Sequence, residues 1–436
     1  MGPRDRQAEG WWRNARGGAA VAAGVLVLAA GCDTLTEVEL PSDVREDELE
    51  DPANAETLVL GAQADFNCAF SAFALSTGLW ADDLDTVSSW FNFNQIGSRT
   101  NSGNQAIGGA PCNLLSNAGL WTPMHTARFT GAQAAERIEE FPRDEVEVLG
   151  DPDLLMATGR AYEGYATLLL SEVFCSVAFD ESEEQSREDG WQRADDRFAE
   201  ALSLLEGVTG EEAESVRNMA MVGRARANLN LGNDDLVVEY ASQVPKDFER
   251  VSEHSDNTDR QNNRIFRVSN QERDHGASER VRQLEVDGEP DPRIQFEDAD
   301  GRLGNDDENP WYPQRKYTSR SDDKPFATGR EAMLMIAEVE GGQEAVDIIN
   351  ELRADYDLPE FQSDDELDIA AQVMDERRRE LWLQGTRMGD LLRFDDQVLD
   401  ARDANWETGS NFKGDPIADN TCLVIPDVEL DNNPNL

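Results

Sequence analysis

The stretch "MDERRRELWLQGTRMGDLLRF", residues 374–394, joins a run of charges to an apolar run. On a helix, Asp375 and Glu376 lie one turn before Arg379 and can pair with it. Such pairs contribute only about 0–1 kcal/mol each when they are exposed. The apolar residues 381–383 indicate a partly buried helix, over which arginine stems can pack. The stretch is therefore interpreted as scaffold and not as a ligand site.

Helical patterns dominate the rest of the chain. Residues 216–245 predict two helices broken at Gly232-Asn233, and residues 330–356 predict a second pair with its turn at Gly341-Gly342. Small residues at the expected crossings are typical of tetratricopeptide-type hairpins, although the spacing alone also fits a generic helical bundle. Further helices are predicted at 53–80, 123–141, 153–174 and 191–208.

Two long polar segments interrupt these helices, at about 81–122 and 246–328. Both are rich in Asn, Asp, Gly, Ser and Pro. Loops of this length in a compact protein are usually functional or disordered. We therefore expect one domain over residues 53–436, with these two segments as loop insertions.

The amino-terminal segment resembles an export signal. Four arginines precede the uncharged stretch "GGAAVAAGVLVLAAG", which ends before Cys32 and is too short to cross a bilayer. We expect residues 1–31 to be a lipoprotein signal peptide, Cys32 to be lipidated, and residues 32–52 to form an acidic tether. The alternative is a soluble exported protein cut near Ala30. No later segment is expected to span a membrane, so lipid alone would anchor the chain.

The charge of the chain is extreme. The 436 residues contain 89 Asp and Glu against 39 Lys and Arg, which gives a formal net charge of −50. A surface of this sign repels nucleic acid and anionic lipid, so neither is an expected partner. High salt screens the repulsion between exposed charges. The composition thus predicts a halophilic surface and is not taken as evidence for a cationic ligand.

The remaining cysteines predict disulfides. An oxidising compartment favours pairing, and an even number of cysteines allows all of them to pair. Three pairings are possible, and pairing near neighbours in the chain gives Cys68–Cys112 and Cys175–Cys422.

The closing stretch "NTCLVIPDVELDNNPNL", residues 420–436, is acidic and rich in Pro and Asn, yet it holds Cys422 and an apolar tripeptide. A bond from Cys422 to Cys175 would fasten it to the end of the 153–174 helix. We therefore expect a docked strap in which Leu423, Val424 and Ile425 are buried.

No catalytic pattern is present in the sequence. It lacks the nucleophile, zinc-protease, phosphate-loop and dinucleotide motifs, and its three histidines share no ligand-like spacing. A non-enzymatic protein without cofactor or metal is therefore predicted. With 89 acidic residues, a carboxylate pair placed for glycoside hydrolysis is a further alternative.

Aromatic residues in the polar segments are the predicted ligand site. Flat apolar rings beside amides and carboxylates suit a ligand with apolar faces and polar edges, such as a sugar. The same rings could instead cover the core or a partner interface. The predicted ligand-binding residues are Trp80, Asp82, Asp83, Trp90, Asn92, Trp311 and Tyr312.

Several motifs together resemble the SusD/RagB family of outer-membrane nutrient-binding lipoproteins. The opening stretch is similar to the family's late helical motif, E-R-R-x-E-L followed by Gly, a basic residue and D-L-x-R. The tail is similar to the family's closing I-P-x-x-E-[IL]-x-x-N-P-N-L. The segments "FATGREAMLMIAEVEGG", "NELRADYDLPEF" and "GRAYEGYATLLLSEVF" resemble three further family motifs. The matching residues of the two strongest motifs are Glu376, Arg377, Arg378, Glu380, Leu381, Gly385, Arg387, Asp390, Leu391, Arg393, Ile425, Pro426, Glu429, Leu430, Asn433, Pro434, Asn435 and Leu436.

The resemblance implies a mostly α-helical scaffold of about four tetratricopeptide-like helix pairs with long irregular loops. It also implies a lipid-anchored protein at the outer cell surface that captures a nutrient oligomer, glycan or peptide, for a SusC-like TonB-dependent transporter. The insertions at 81–122 and 246–328 do not follow the family pattern, so the substrate does not transfer with the resemblance. A tetratricopeptide-type assembly adaptor without a small ligand is the alternative.

Overall fold

The charged stretch at 374–394 is buried in the computed structural model, which describes residues 49–100, 107–109, 111–112 and 119–436. The predicted signal peptide, Cys32 and the tether up to residue 48 lie outside these residues. Residues 49–436 form one compact unit.

The helices of the described residues follow the apolar periodicity of the sequence. A short 3₁₀ turn, Pro52–Asn54, precedes the first of them, and a π-helical turn, Phe266–Gln271, lies in the second insertion. In chain order the helices are α1 Ala55–Trp80, α2 Phe91–Gly97, α3 Trp121–Glu140, α4 Arg143–Val146, α5 Pro152–Val173, α6 Arg187–Leu204, α7 Glu211–Leu231, α8 Asp234–Ala241, α9 Glu279–Arg282, α10 Gly329–Glu340, α11 Gly342–Ala354, α12 Glu366–Glu380, α13 Arg387–Arg393, α14 Asp396–Asp400 and α15 Asp427–Asn432.

The long helices form an array in which each packs against the next. Contacts run from α3 to α5, α6, α7, α8, α10 and α11 in turn. The predicted breaks are confirmed: α7 ends at Gly232, whose φ of 73° is the left-handed C-cap that glycine favours, and Gly341 separates α10 from α11. The predicted mostly α-helical fold class is confirmed.

Glycine allows α3 and α5 to cross at backbone distance. A Cβ on Gly131 would lie 2.8 Å from the carbonyl oxygen of Gly159 and 2.9 Å from the amide nitrogen of Glu163. No side chain fits in that space.

Helix α1 is the core helix on which α3 and α5 pack. The segment Pro52–Trp80 is long and apolar enough to cross a membrane, contrary to the sequence-based expectation, but 61% of its most apolar window is buried inside the fold. Phe66, Phe70 and Phe73 are each at most 1% exposed, and Phe66 contacts the ring of Phe326 at 4.9 Å between centroids. This burial is that of a core helix in a globular domain.

Six short strands lie in the parts of the two insertions that the structure describes. They are β1 Leu84–Thr86, β2 Glu249–Ser252, β3 His275–Ala277, β4 Glu285–Val286, β5 Glu289–Pro290 and β6 Lys324–Thr328. The antiparallel pairs are β1–β3, β2–β6 and β4–β5. The insertions are therefore less irregular than predicted, and β1–β3 joins one insertion to the other.

Both predicted disulfides are present, Cys68–Cys112 and Cys175–Cys422. The second holds the tail against the end of α5, where Leu423 N–H donates to Val173 O at 2.9 Å and Cys175 N–H donates to Leu423 O at 2.7 Å. Leu423 and Ile425 are buried, whereas Val424 is 43% exposed. The prediction for Val424 was wrong because successive side chains of an extended segment point to opposite sides.

The charged run is more buried than its sequence suggested. Glu376 is fully buried and pairs with Arg293 at 2.5 Å and Arg353 at 2.6 Å, and not with Arg379. Arg379 pairs with Asp375 at 2.8 Å and with Asp291 at 2.9 Å. The run thus ties α12 to α11 and to the second insertion, which agrees with its interpretation as scaffold.

Candidate functional site

The β1–β3 pair forms the base of the candidate site. Asp85 lies opposite Gly276 in the register, and Ala277 N–H donates to Tyr312 O at 2.8 Å. A Cβ on Gly276 would lie 2.8 Å from that same oxygen. Glycine at this position therefore allows the chain around Tyr312 to lie directly on the strand pair.

A groove with a volume of about 240 Å³ opens on this base, and we call it the Tyr312 groove. Its walls come from four separate stretches of the chain, so only the folded protein brings them together. The lining residues are Asp85, Val87, Gly276, Ala277, Glu279, Arg282, Pro310, Tyr312 and Phe412.

Helix α9 positions two charged groups of the groove. Its N-cap Ser278 accepts from Val281 N–H and donates to Asp82 O at 2.6 Å. Glu279 N–H at the helix start donates to Asp85 Oδ2 at 3.0 Å. One turn later, Arg282 reaches back over the groove. A single capped helical turn thus fixes the positions of both Glu279 and Arg282 at the groove.

The guanidinium of Arg282 stacks on the ring of Tyr312, 3.5 Å from the ring centroid. Its Nε donates to Ala277 O at 3.1 Å. Its two terminal nitrogens make no hydrogen bond to any described residue. Stacking and the single bond fix the plane of the guanidinium, so up to four N–H groups are held ready for a ligand's oxygen atoms.

Two carboxyl groups near α9 titrate close to neutrality. Burial raises the pKa of Asp85 to about 7, against the lowering effect of its bond from Glu279 N–H, and nearby Glu407 raises it further. Burial and the charge of Asp82 raise the pKa of Glu407 to about 7. Around pH 7 Asp85, which lines the groove, can therefore either accept or donate a hydrogen bond.

Phe412 supplies the second aromatic ring and is 40% exposed. Its neighbour Lys413 fixes the loop, because Nζ donates to Ser88 O at 3.0 Å and to Asn94 Oδ1 at 2.9 Å and pairs with Asp306 at 3.1 Å. One lysine thus joins the Phe412 loop to both insertions.

The predicted role of two tryptophans is corrected by their burial. Trp80 is 1% exposed and belongs to the core around α1. Trp311 is 8% exposed, and its Nε1 donates to Ser269 O at 3.1 Å and His275 O at 3.0 Å. Neither ring face is open to a ligand, so both rings fit the alternative interpretation that they cover the core.

Asp82 and Asp83 are buried beneath the site. Asp82 Oδ2 accepts from Arg280 at 3.2 Å and from Glu407 N–H at 3.1 Å. Burial raises the pKa of Asp83 to about 6, while Arg387 and Arg378 act in the opposite direction. In this structure the two residues position the loops around the site and do not line the Tyr312 groove.

Of the remaining predicted residues, Tyr312 lines the groove, whereas Trp90 and Asn92 do not line it and lie at the start of α2. Trp90 is 49% exposed at the start of α2, and the adjacent Phe91 is 71% exposed. Asn92 is partly exposed on the same helix. Lys413 bonds to Ser88 and Asn94 on either side of this segment, so the segment is tied to the loop that carries Phe412.

Sequence reasoning missed Phe412, Arg282, Asp85 and Glu279. Phe412 carried the same signal as Trp90, an aromatic residue in a polar turn, "GSNFKGD". The three charged residues could not be singled out from the sequence, because 128 of the 436 residues are charged.

The arrangement suits recognition of a polar ring with apolar faces. The rings of Tyr312 and Phe412 can contact C–H faces, while Arg282 and the carboxyl groups can bind hydroxyls. Among the described residues, no group of three or more His, Cys, Asp or Glu is placed to hold a metal ion.

Comparisons with solved structures show which fold the described residues share. The described fold is similar to a SusD-like carbohydrate-binding protein from Bacteroides vulgatus, with 14% identity, a TM-score of 0.65 and coverage of 88% of this chain and 97% of that one. It is also similar to a SusD superfamily protein from Parabacteroides distasonis, with 13% identity, a TM-score of 0.66 and coverage of 90% and 99%. Surface glycan-binding protein A from Bacteroides thetaiotaomicron, solved in complex with laminarihexaose, gives 11% identity, a TM-score of 0.66 and coverage of 88% and 98%.

These likenesses define a SusD-like fold. At the sequence level, the model of the SusD family matches residues 331–436, which contain the charged stretch and the tail. A search of curated proteins finds no match. Residues 331–436 therefore match the SusD family in sequence, and the described residues as a whole share the SusD-like fold.

Proposed function

We propose that this protein is a lipid-anchored protein of the outer cell surface that binds a glycan in the Tyr312 groove and delivers it to a SusC-like TonB-dependent transporter. The stacking of Arg282 on Tyr312, with Phe412 on the same groove, is the observation that supports this proposal most strongly. It combines apolar ring faces with donors that no described residue uses. The glycan-binding relatives of the same fold support a carbohydrate rather than a peptide ligand.

The size of the groove limits how much of the glycan it holds. Its volume of about 240 Å³ lies below the range of about 300–1,000 Å³ that is common for small-molecule sites. It therefore suits one unit of an oligomer. The adjoining units would lie on the open surface at Trp90 and Phe91, where exposed rings are otherwise unexplained.

The test is a binding screen of the mature chain in high salt, with neutral and uronic-acid hexasaccharides of different linkage, followed by analysis of the probes for cleavage. We expect binding of an intact neutral probe. Because Asp85 has the raised pKa that an acid catalyst needs, the cleavage analysis is part of the test: release of sugar would contradict a purely binding role.

Delivery to a transporter is tested separately, by co-purification of the tagged full-length chain with a SusC-like barrel protein from the same cells. Retention of the barrel in the presence of glycan supports delivery. An outer-membrane adaptor without a small ligand is the second candidate, and the burial of both Trp80 and Trp311 favours it. Retention of the barrel without binding of any probe would support the adaptor instead.

A further inference from the structure

A second groove lies at the carboxy-terminal strap, residues 420–436. We call it the Phe129 groove. It has a volume of about 430 Å³ and lies between the first half of α3 and helix α15, with residues 178–181 as its third wall. It shares no lining residue with the Tyr312 groove.

The walls of the Phe129 groove are held in place by hydrogen bonds to one carboxylate. Trp121 Nε1 donates to Glu429 Oε2 at 3.2 Å, and Asn433 Nδ2 donates to Glu429 Oε1 at 3.0 Å. Asn433 also donates to Ser182 O at 2.9 Å. The Cys175–Cys422 disulfide fastens the same strap to α5. The groove is therefore built from tied elements and is not a gap between loose segments.

An aromatic ring is exposed on this groove. Phe129 lines it and is 53% exposed, although a phenylalanine in a helix of this fold is usually directed into the core. Behind it, the rings of Trp121 and His125 lie 4.3 Å apart. An exposed ring beside hydroxyl and amide groups is the arrangement that a sugar ring fits.

His125 adds a polar group that lacks a partner. Its Nε2 is buried and makes no hydrogen bond to any described residue. Burial and the charge of Arg128 lower the pKa of His125 to about 3, so the ring is neutral at physiological pH. A buried nitrogen without a partner is costly, and a hydroxyl entering the groove could satisfy it after a small movement of the ring.

The net charge of the Phe129 groove disfavours an anionic ligand. The guanidinium of Arg128 is already paired with Asp180, which also pairs with Arg193 at 2.5 Å. Glu181 and Glu429 add negative charge to the lining. The groove is therefore net acidic, and its exposed ring, amide and hydroxyl groups suit a neutral ligand.

We propose that the Phe129 groove is a second carbohydrate site, which takes a neutral sugar unit against the exposed ring of Phe129. It shares its ligand class with the proposed function but depends on different residues. Two separate sites would let one chain hold two glycan segments and so increase retention by effective concentration.

The experiment measures binding of neutral gluco-hexasaccharides of β-1,3, β-1,4 and α-1,4 linkage to the mature chain, by calorimetry and by ligand-observed NMR. The variants are Phe129→Ala and Asn432→Ala in this groove, Phe412→Ala in the Tyr312 groove, and Leu367→Ala as the control. Leu367 is 43% exposed on α12 and lines neither groove. Circular dichroism confirms that each variant is folded.

We expect Phe129→Ala to lower the binding stoichiometry towards one, or to weaken binding of the hexasaccharide at least tenfold. The Phe412→Ala variant should still show hexasaccharide binding by ligand-observed NMR, because the Phe129 groove is intact. Loss of all binding in Phe412→Ala with unchanged binding in Phe129→Ala and Asn432→Ala would overturn the second site and leave the proposed function intact. The reverse pattern would overturn the role of the Tyr312 groove.

Two further outcomes also decide the proposal. Failure of the wild-type chain to bind any of these probes at millimolar concentration overturns both carbohydrate sites. Weaker co-purification of the barrel by Phe129→Ala, with unchanged glycan binding, assigns the groove to a protein partner and overturns the proposal.

Discussion

Arg377 and Asp390 form an ion pair in which both side chains are only 1% exposed, with Arg377 Nε donating to Asp390 Oδ1 at 2.9 Å. The pair joins α12 to α13 inside the charged stretch. Asp390 also accepts from Arg393 at 2.7 Å, and Arg377 lies 3.6 Å from Glu338. The charges of this stretch thus act as internal links between helices.

Removal of one partner of this pair is expected to destabilise the fold strongly. Asp390→Ala leaves the buried guanidinium of Arg377 without its closest acceptor, which should lower the free energy of unfolding by about 3–5 kcal/mol. Urea titration at constant salt measures the change. The control is Glu147→Ala, whose pair with Arg143 is more than half exposed and should contribute about 0–1 kcal/mol. Equal effects of the two variants would contradict the buried-link interpretation.

Two glycine-to-alanine substitutions, one at the crossing of α3 and α5 and one in α1, should change stability in opposite directions. Gly131→Ala should destabilise by about 1–3 kcal/mol, because its Cβ would meet the backbone of α5 at 2.8 Å. Gly61→Ala, in α1 with open space around it, should stabilise by about 0.5–1 kcal/mol through helix propensity. Thermal unfolding of both variants tests the pair, and a stabilising Gly131→Ala would show that the helices do not approach so closely.

The disulfides give a third prediction. Cys175–Cys422 closes a sequence separation of 247 residues and Cys68–Cys112 one of 44, so loss of either should cost about 2–5 kcal/mol, with the longer loop costing more. Thermal unfolding of Cys422→Ser and Cys112→Ser compares them. Thiol labelling with intact-mass analysis should modify none of these four cysteines until reductant is added. Labelling of the folded chain without reductant would rule the pairing out.

The titration of Asp85 gives a prediction for pH. Its pKa is raised from 3.8 to about 7 by burial, so the folded state binds this proton more tightly than the unfolded state. Its contribution to stability is therefore greatest below about pH 4 and is lost as pH rises to 7.

The substitution Asp85→Asn removes the loss of stability that ionisation of Asp85 causes as pH rises. The stability of the variant relative to wild type should rise between pH 4 and 8 by roughly 1–4 kcal/mol. Urea titrations across this range measure it, with the exposed Asp364→Asn as the comparison. A difference that does not change with pH would show that Asp85 ionises normally.

Local features of the fold were predictable from sequence, because helix periodicity, the glycine breaks at Gly232 and Gly341, and the tail motif each depend on neighbouring residues. The cysteine pairing followed from chain order. Burial of the charged run was not predictable, since Glu376 finds its partner Arg293 more than 80 positions away.

The candidate site was predicted in part. Aromatic residues in polar segments indicated Tyr312 and Trp90, which are partly or largely exposed, but the same signal selected Trp80 and Trp311, which are buried. The ligand-binding role of the exposed rings stays a prediction. Whether such a ring faces solvent depends on long-range packing, since Trp80 is buried in the core around α1 and Trp311 is bonded to Ser269 and His275. The contact of Arg282 with Tyr312 has no sequence signal, because it requires α9 to be placed by the pairing of β1 with β3.

The binding isotherm of Phe412→Ala is the sharpest test of glycan binding through the Tyr312 groove. The measurement uses whichever neutral hexasaccharide binds the wild-type chain, with Arg282→Ala as a second variant and Leu367→Ala as the control. We expect at least a tenfold loss of affinity for the hexasaccharide in both groove variants and none in the control. Wild-type affinity in Phe412→Ala and Arg282→Ala would contradict glycan binding through this groove.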